Sequence, residues 1–97
     1  MNFSEKKVGE TVTLGFDLVR LLNVGETVQA ASFSVTVLRG VDADAAAMVS
    51  GAAIVSGSKV RQKIAGGVAG NYYEVAASAT TSAGNTYIER ATLEVIA

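Results

Sequence analysis

The stretch GNYYEVAASATTSAGNTYIERATLEVI, from Gly70 to Ile96, decides the fold of this chain. Two runs of alternating side chains flank a turn at residues 82–85, a pattern typical of an antiparallel β-hairpin. The side chains predicted to face the core are Tyr73, Val75, Ala77, Ala79, Ala91, Leu93 and Val95. Neither run places a catalytic residue type at a useful position, so this part of the sequence predicts a scaffold.

Upstream of the hairpin, alternation predicts further strands at residues 11–18, 28–38 and 59–65. Their inward positions are Val12, Leu14, Phe16, Leu18, Phe33, Val35, Val37, Val60, Gln62 and Ile64. Tyr73 stands at the start of its strand, where a sandwich often uses a tyrosine hydroxyl to tie a corner.

The segments between these strands are less regular. Leu18, Leu21 and Leu22 are spaced i, i+3 and i+4, which predicts a helical turn capped by Asp17 and ended by Gly25. Residues 39–58 fit a loop with one short strand, although their alanines also fit a helix.

Six or seven strands with turns at this spacing and no sustained helix predict an all-β fold, namely an immunoglobulin-like antiparallel β-sandwich of about seven strands. A chain of 97 residues has room for one core. We expect this domain to span residues 10–97 and a flexible N-terminal arm to span residues 1–9.

Composition narrows the function classes. Histidine and cysteine are absent, which removes the usual general base near neutral pH, disulfides and the common zinc frameworks. Eight basic and nine acidic residues are spread without blocks, so neither nucleic acid nor an anionic membrane is an expected partner. No signal peptide or membrane span is predicted. We expect no enzyme activity and no cofactor.

The hydrophobic share of 49% has two interpretations. Alanine and valine inflate it, so it fits a core of small side chains. It also fits a surface that is partly buried against a partner or a copy of the same chain.

A basic row, defined as Lys59, Arg61 and Lys63, alternates along one predicted strand. One hypothesis is that these charges protect a sheet edge from strand addition. The other is that they dock an acidic partner surface.

Tyr72 and Tyr87 are predicted to point outward from the hairpin and to pair across it, or to serve as interface anchors. Glu89 shares a face with Leu93 and would need a polar partner if buried.

Two patterns resemble ligand sites but lack essential parts. Asp42 and Asp44 could contact calcium, yet the residues after them supply no further carboxylates, so no metal site is predicted. The glycine-rich residues 66–70 lack the Lys-Ser/Thr and helix of a phosphate cradle and predict a turn.

Two segments resemble small immunoglobulin-like structural proteins of tailed bacteriophages. LGFDLVRLLNVGETV (residues 14–28) and ASFSV (31–35) are similar to that family's opening, with Phe33 where the family tends to have tryptophan. GGVAGNYYEV (66–75), TTSAGN (80–85) and the Glu89-Arg90 pair resemble its glycine turn, tyrosine strand and hairpin.

The match has departures from the family pattern. Leu18 and Leu21 replace expected aromatic residues, and residues 39–58 do not match in detail. Partner contacts that those aromatics make in relatives are therefore not carried over to this chain.

The resemblance implies a non-enzymatic virion protein, made in the host cytoplasm and present in several copies, such as an adaptor that attaches a fibre to the tail. Its expected partners are tail, fibre or capsid proteins. A capsid decoration or cement protein is the alternative in the same class, and a small carbohydrate- or cation-binding module is the alternative in another. The residues expected to bind partners are Lys59, Arg61, Lys63, Tyr72 and Tyr87.

Overall fold

Two β-sheets packed face to face make up the fold in the computed structural model, which describes residue 3 and residues 5–97. Within these residues the strands are β1 (Lys6–Lys7), β2 (Val12–Asp17), β3 (Val28–Arg39), β4 (Val49–Ser56), β5 (Lys59–Ile64), β6 (Tyr72–Thr81) and β7 (Thr86–Ile96). The Cα atoms extend over 43 × 21 × 21 Å.

The strand order confirms the predicted fold class. One sheet has the order β1-β7-β6-β3 and the other the order β2-β5-β4. Three strands on each side follow the arrangement of an immunoglobulin constant-type sandwich, and β1 adds to the larger sheet by pairing parallel with β7.

The hairpin of β6 and β7 is formed as the alternation predicts. Its register runs without a break from the Tyr72–Glu94 pair to the Thr80–Thr86 pair. The seven side chains predicted to face the core are all buried. The turn closes through a hydrogen bond that the Thr81 amide donates to the Asn85 carbonyl (2.9 Å).

Two groups of side chains form the core. One surrounds Tyr73 and contains Val75, Leu93 and Ile64. The other surrounds Phe16, whose ring centroid lies 5.2 Å from that of Phe3 and 6.1 Å from that of Phe33. The second group also includes small residues, namely Ala77, Ala79 and Ala91.

The segment before β2 is paired to the larger sheet. Lys6 lies opposite Val95, and the Phe3 amide donates to the Thr92 carbonyl (2.9 Å). Lys6 is buried, its Nζ donates to the Gly66 carbonyl (2.6 Å), and burial lowers the pKa of its ammonium. Met1, Asn2 and Ser4 of the predicted arm lie outside the described residues, and the flexibility of residues 1–9 stays a prediction.

Residues 39–58, for which the sequence fits either a short strand or a helix, contain one of each. Ala45–Met48 form one short 3-10 helix, and the eight-residue strand β4 follows directly. Upstream, the predicted turn forms because the Leu21 and Leu22 amides donate to the Leu18 carbonyl, and Asp17 Oδ1 caps it by accepting from the Val19 amide (3.1 Å).

The predicted tyrosine corner is confirmed. The Tyr73 hydroxyl donates to Asp42 Oδ2 (2.8 Å) and accepts from the Val68 amide (2.8 Å). The Asn71 side-chain amide donates to this hydroxyl (3.3 Å) and to the Val41 carbonyl (3.0 Å). Burial raises the pKa of the Tyr73 hydroxyl, which keeps it a hydrogen-bond donor. These bonds join the start of β6 to the loop that follows β3.

Candidate partner-binding surface

The basic row lies on the open face of the smaller sheet. Lys59, Arg61 and Lys63 are exposed, while Val60, Gln62 and Ile64 of the same strand are buried. Successive members of the row are about 6.8 Å apart because alternate residues of a strand point the same way. The row is therefore a straight line of three cations on a rigid strand.

Neighbouring strands shape the space around the row. Gly15 of β2 lies opposite Arg61, and a Cβ at Gly15 would come within 2.9 Å of Arg61 Cγ. The glycine thus leaves room for the Arg61 side chain against the β2 backbone. Asp17 lies opposite Lys59, and hydrogen bonds from the Ser58 hydroxyl and the Val19 amide hold the pKa of Asp17 below its ordinary value.

The edge-protection hypothesis for the basic row is wrong. Strand β5 pairs with β2 on one side and with β4 on the other, so it is the central strand of its sheet. A central strand has no free backbone edge to protect. Sequence alternation identifies the exposed face of a strand but does not identify its place in the sheet.

Within the part of the chain that the structure describes, none of the three cations of the row forms an ion pair, although the exposed Asp17 lies opposite Lys59 and the Lys59 charge helps to lower the pKa of Asp17. Among the described residues one ion pair is formed, between Arg90 Nε and Glu74 Oε1 (3.6 Å), and it lies on the larger sheet. Positive charge on the smaller sheet is therefore available to another molecule.

Tyr72 lies on the open face of the larger sheet, as predicted. It is opposite Glu94 in the ladder, and the Glu94 carboxylate raises the pKa of the Tyr72 hydroxyl. Tyr72 is half-buried and stands at the end of β6 that follows the glycine-rich turn.

The placement predicted for Tyr87 is wrong. Tyr87 lies opposite Ala79, whose side chain is buried between the sheets, so Tyr87 faces inward. Its hydroxyl accepts a hydrogen bond from the Asn85 side-chain amide (3.4 Å). The position on β6 opposite Tyr87 is Ala79, which is seven residues, or about 24 Å, along the strand from Tyr72. The two tyrosines therefore do not pair across the hairpin.

The five residues predicted from the sequence thus do not form one site. The basic row occupies the open face of one sheet and Tyr72 the open face of the other, on opposite sides of the sandwich. Tyr87 belongs to neither face.

Asp42 and Asp44 have roles within the fold. Asp42 Oδ2 accepts from Tyr73, and Asp42 Oδ1 accepts from the Asp44 amide (2.9 Å). In the part of the chain that the structure describes, no three acidic residues converge as a cation site would require. Backbone groups of the glycine-rich turn also bond within the fold, since the Val68 amide donates to the Tyr73 hydroxyl and the Gly66 carbonyl accepts from Lys6 Nζ.

Glu89 faces inward, as predicted, yet it is only half-buried. It lines an open cleft of about 390 Å³ between the sheets, together with Phe16, Arg20 and Leu21. Water can reach its carboxylate there, so the burial that would demand an internal partner does not arise.

Glu26 is a residue that sequence reasoning missed. It is buried, its Oε1 accepts from the Asn23 amide (2.8 Å), and its Oε2 accepts from the Thr81 hydroxyl and from the Asn85 side-chain amide (3.0 Å). These bonds tie the loop before β3 to the hairpin turn. The Asn23 and Thr81 donors lower the pKa of Glu26. The sequence signal that could have pointed to Glu26 is its place in the Gly25-Glu26-Thr27 motif, which the resemblance to the phage family already included.

Glu26→Gln should make the chain less stable at pH 7 and less sensitive to acid. The folded pKa of Glu26 lies below its ordinary value of 4.5. Its contribution to stability is therefore fully present above about pH 4.5 and is lost as the pH falls through the folded pKa. Thermal melts from pH 7 to pH 3 should show the difference between wild type and variant shrinking as acid is added. Glu89→Gln is the matched control, and a constant difference for Glu26→Gln would contradict this role.

The geometry defines a class of protein. It is an immunoglobulin-like sandwich with three exposed cations on the open face of its smaller sheet. None of its described helices is long and apolar enough to cross a membrane.

Comparison with protein families identifies the family to which this sandwich belongs. Residues 6–94 match the family described as podophage GP4 fiber-tail adaptor protein gp77, and the chain belongs to that family. A comparison with curated proteins gave no match. The chain is therefore a structural adaptor of a phage virion that binds other tail or fibre proteins. Neither the match nor the structure favours the capsid-decoration or ligand-binding alternatives.

Proposed function

We propose that this chain joins fibre to tail by passive docking, in several copies per particle and without a catalytic step, and that the basic row binds an acidic surface of one partner. The observation that carries the proposal is the position of the row: three exposed cations, which form no ion pair with the residues that the structure describes, on the central strand of an open sheet.

The spacing of the row lets its charges act together. Neighbouring cations are closer than the Debye length of about 8 Å at physiological salt, so an approaching acidic surface meets their combined potential. Such a potential speeds association and fixes the orientation of the docked pair. Because β5 is held on both sides by other strands, its backbone needs no ordering when the row binds, and only the three side chains lose freedom.

An adaptor has to contact two partners, and the sandwich offers two opposite faces. The row occupies the face of the smaller sheet, and Tyr72 occupies the face of the larger one. Tyrosine is a frequent interface anchor because it combines an apolar ring with a polar tip. We assign the Tyr72 face to the second partner.

Replacing Lys59, Arg61 and Lys63 together with serine should reduce incorporation into particles, and the difference from wild type should shrink as salt is raised during assembly, because salt screens the attraction that the variant has lost. The expected reduction is at least about tenfold, the equivalent of about 1.4 kcal/mol of docking free energy. Quantitative mass spectrometry of purified particles measures incorporation and gives the copy number of the wild-type chain.

The matched control replaces Lys7 and Arg20 with serine and is compared with the double variant Lys59→Ser/Lys63→Ser, so that each removes two exposed positive charges. The control should assemble nearly as wild type does. Equal losses in both double variants would show that net charge, rather than the row, governs assembly. Melting of each purified variant checks that it is folded.

A further inference from the structure

Three long strands end their sheets in this fold, and they are not equally open. Strands β2 and β4 border the smaller sheet, and β3 borders the larger one. Because β1 pairs only with Val95 and Ile96, the outer side of β7 is also largely open among the described residues, but Glu89 and Arg90 on β7 discourage strand addition there. The register of β4 shifts between Ser50 and Ile54, and such a bulge bends a strand and discourages pairing. Strand β2 has only six residues and ends in Asp17.

Strand β3 has none of these protections over most of its length. It has 12 residues, and its register with β6 is unbroken from Ala30 to Val37. That segment, AASFSVTV, contains no charge, no proline and no glycine. A regular, neutral, β-prone edge of this kind is a template for strand addition by another chain.

The core side of β3 is also incompletely covered. Ala31, Phe33 and Val37 point toward the other sheet, yet each is only half-buried. Their opposite residues on β6, namely Ala79, Ala77 and Tyr73, are buried because strands flank β6 on both sides, and on β3 itself Val35 is buried as well. A strand added beside β3 would cover these apolar side chains and pair the free backbone groups at the same time.

We infer that β3 pairs antiparallel with β3 of a second copy of this chain. A two-fold pair places a strand against itself, so any charge near its centre would meet a like charge. With Phe33 on the two-fold axis, Phe33 would face its own copy on the core side, and Ser32 of each chain would face Ser34 of the other on the open side, without repulsion. The two larger sheets, of four strands each, would join into one continuous sheet.

This pairing leaves the basic row free. The row lies on the smaller sheet, whereas β3 is the edge of the larger one. The dimer can be examined on the purified chain alone, without any partner of the proposed function. If the chain does not dimerise, the docking proposal is unaffected. If the basic row does not bind a partner, the dimer proposal is likewise unaffected.

Sedimentation velocity of the purified chain over a range of concentrations should show a monomer–dimer equilibrium. The pair S32K/S34K and the pair S32E/S34E should each weaken self-association by at least about tenfold, because like charges meet across the two-fold axis. An equimolar mixture of the two variants should restore dimers, since opposite charges then face each other. Restored dimers also show that both variants are folded.

The matched control is A76K/S78K, which places two lysines on β6, one strand in from the edge and directly beside Ser34 and Ser32. It should dimerise as wild type does if the edges pair. Loss of dimers in this control but not in S32K/S34K would overturn edge pairing in favour of stacking between sheet faces. A wild-type chain that stays monomeric at every concentration, or a mixture that fails to dimerise, would also overturn it.

Discussion

Phe16→Ala should lower the free energy of unfolding by about 3–5 kcal/mol, the usual cost of removing a buried phenylalanine. Only 5% of Phe16 is exposed, and its ring lies between those of Phe3 and Phe33. Truncation would leave a cavity between the sheets and remove both aromatic contacts. For a domain of this size the melting temperature should fall by more than about 10 °C.

Urea unfolding measures this loss, and two further variants calibrate it. Phe33→Ala should cost less than Phe16→Ala, because Phe33 is only half-buried. Leu21→Ala removes an exposed leucine and should stay within about 0.5 kcal/mol of wild type. A near-wild-type midpoint for Phe16→Ala would contradict the packing of the second core group.

Gly40→Ala should destabilise the chain by about 2–5 kcal/mol, combining backbone strain with damage to the tyrosine corner. Gly40 has a φ of 109°, and a Cβ there would come within 2.0 Å of Asn71 Oδ1. The Asn71 side chain would have to move, and its amide would lose the bonds to the Val41 carbonyl and the Tyr73 hydroxyl.

Gly25→Ala separates these two causes. Gly25 also has a positive φ, 81°, but nothing lies within 4 Å of the position of its Cβ. It should show the strain alone, about 1–2 kcal/mol. Thermal unfolding of both variants gives the comparison, and equal losses would mean that the corner tolerates displacement of Asn71.

Local patterns in the sequence predict much of the fold. The hairpin of β6 and β7 follows from alternation, since a two-residue period fixes which side chains face the core. The tyrosine corner could be predicted from Tyr73 at a strand start. Neither inference needs knowledge of any other strand.

Features that depend on distant parts of the chain could not be predicted in this way. The basic row was assigned to an edge because sequence does not say which strands flank β5. The outward placement of Tyr87 is a different case, because it went against the local alternation: residues 87, 89 and 91 share one face of β7, and the unbroken register keeps that face inward. Glu26 and Lys6 are bonded to groups 55 and 60 residues away, so the alternation of side chains does not indicate their burial.

The elongated shape of the sandwich sets the geometry of the junction that it makes. The open faces of both sheets run along its 43 Å length, so a chain bound through these faces lies flat against its partners. On the two-face docking proposed above, its breadth of 21 Å between Cα atoms would set the separation of tail and fibre. In an image of the particle such a chain is a thin layer of density between two larger bodies and not a projecting spoke.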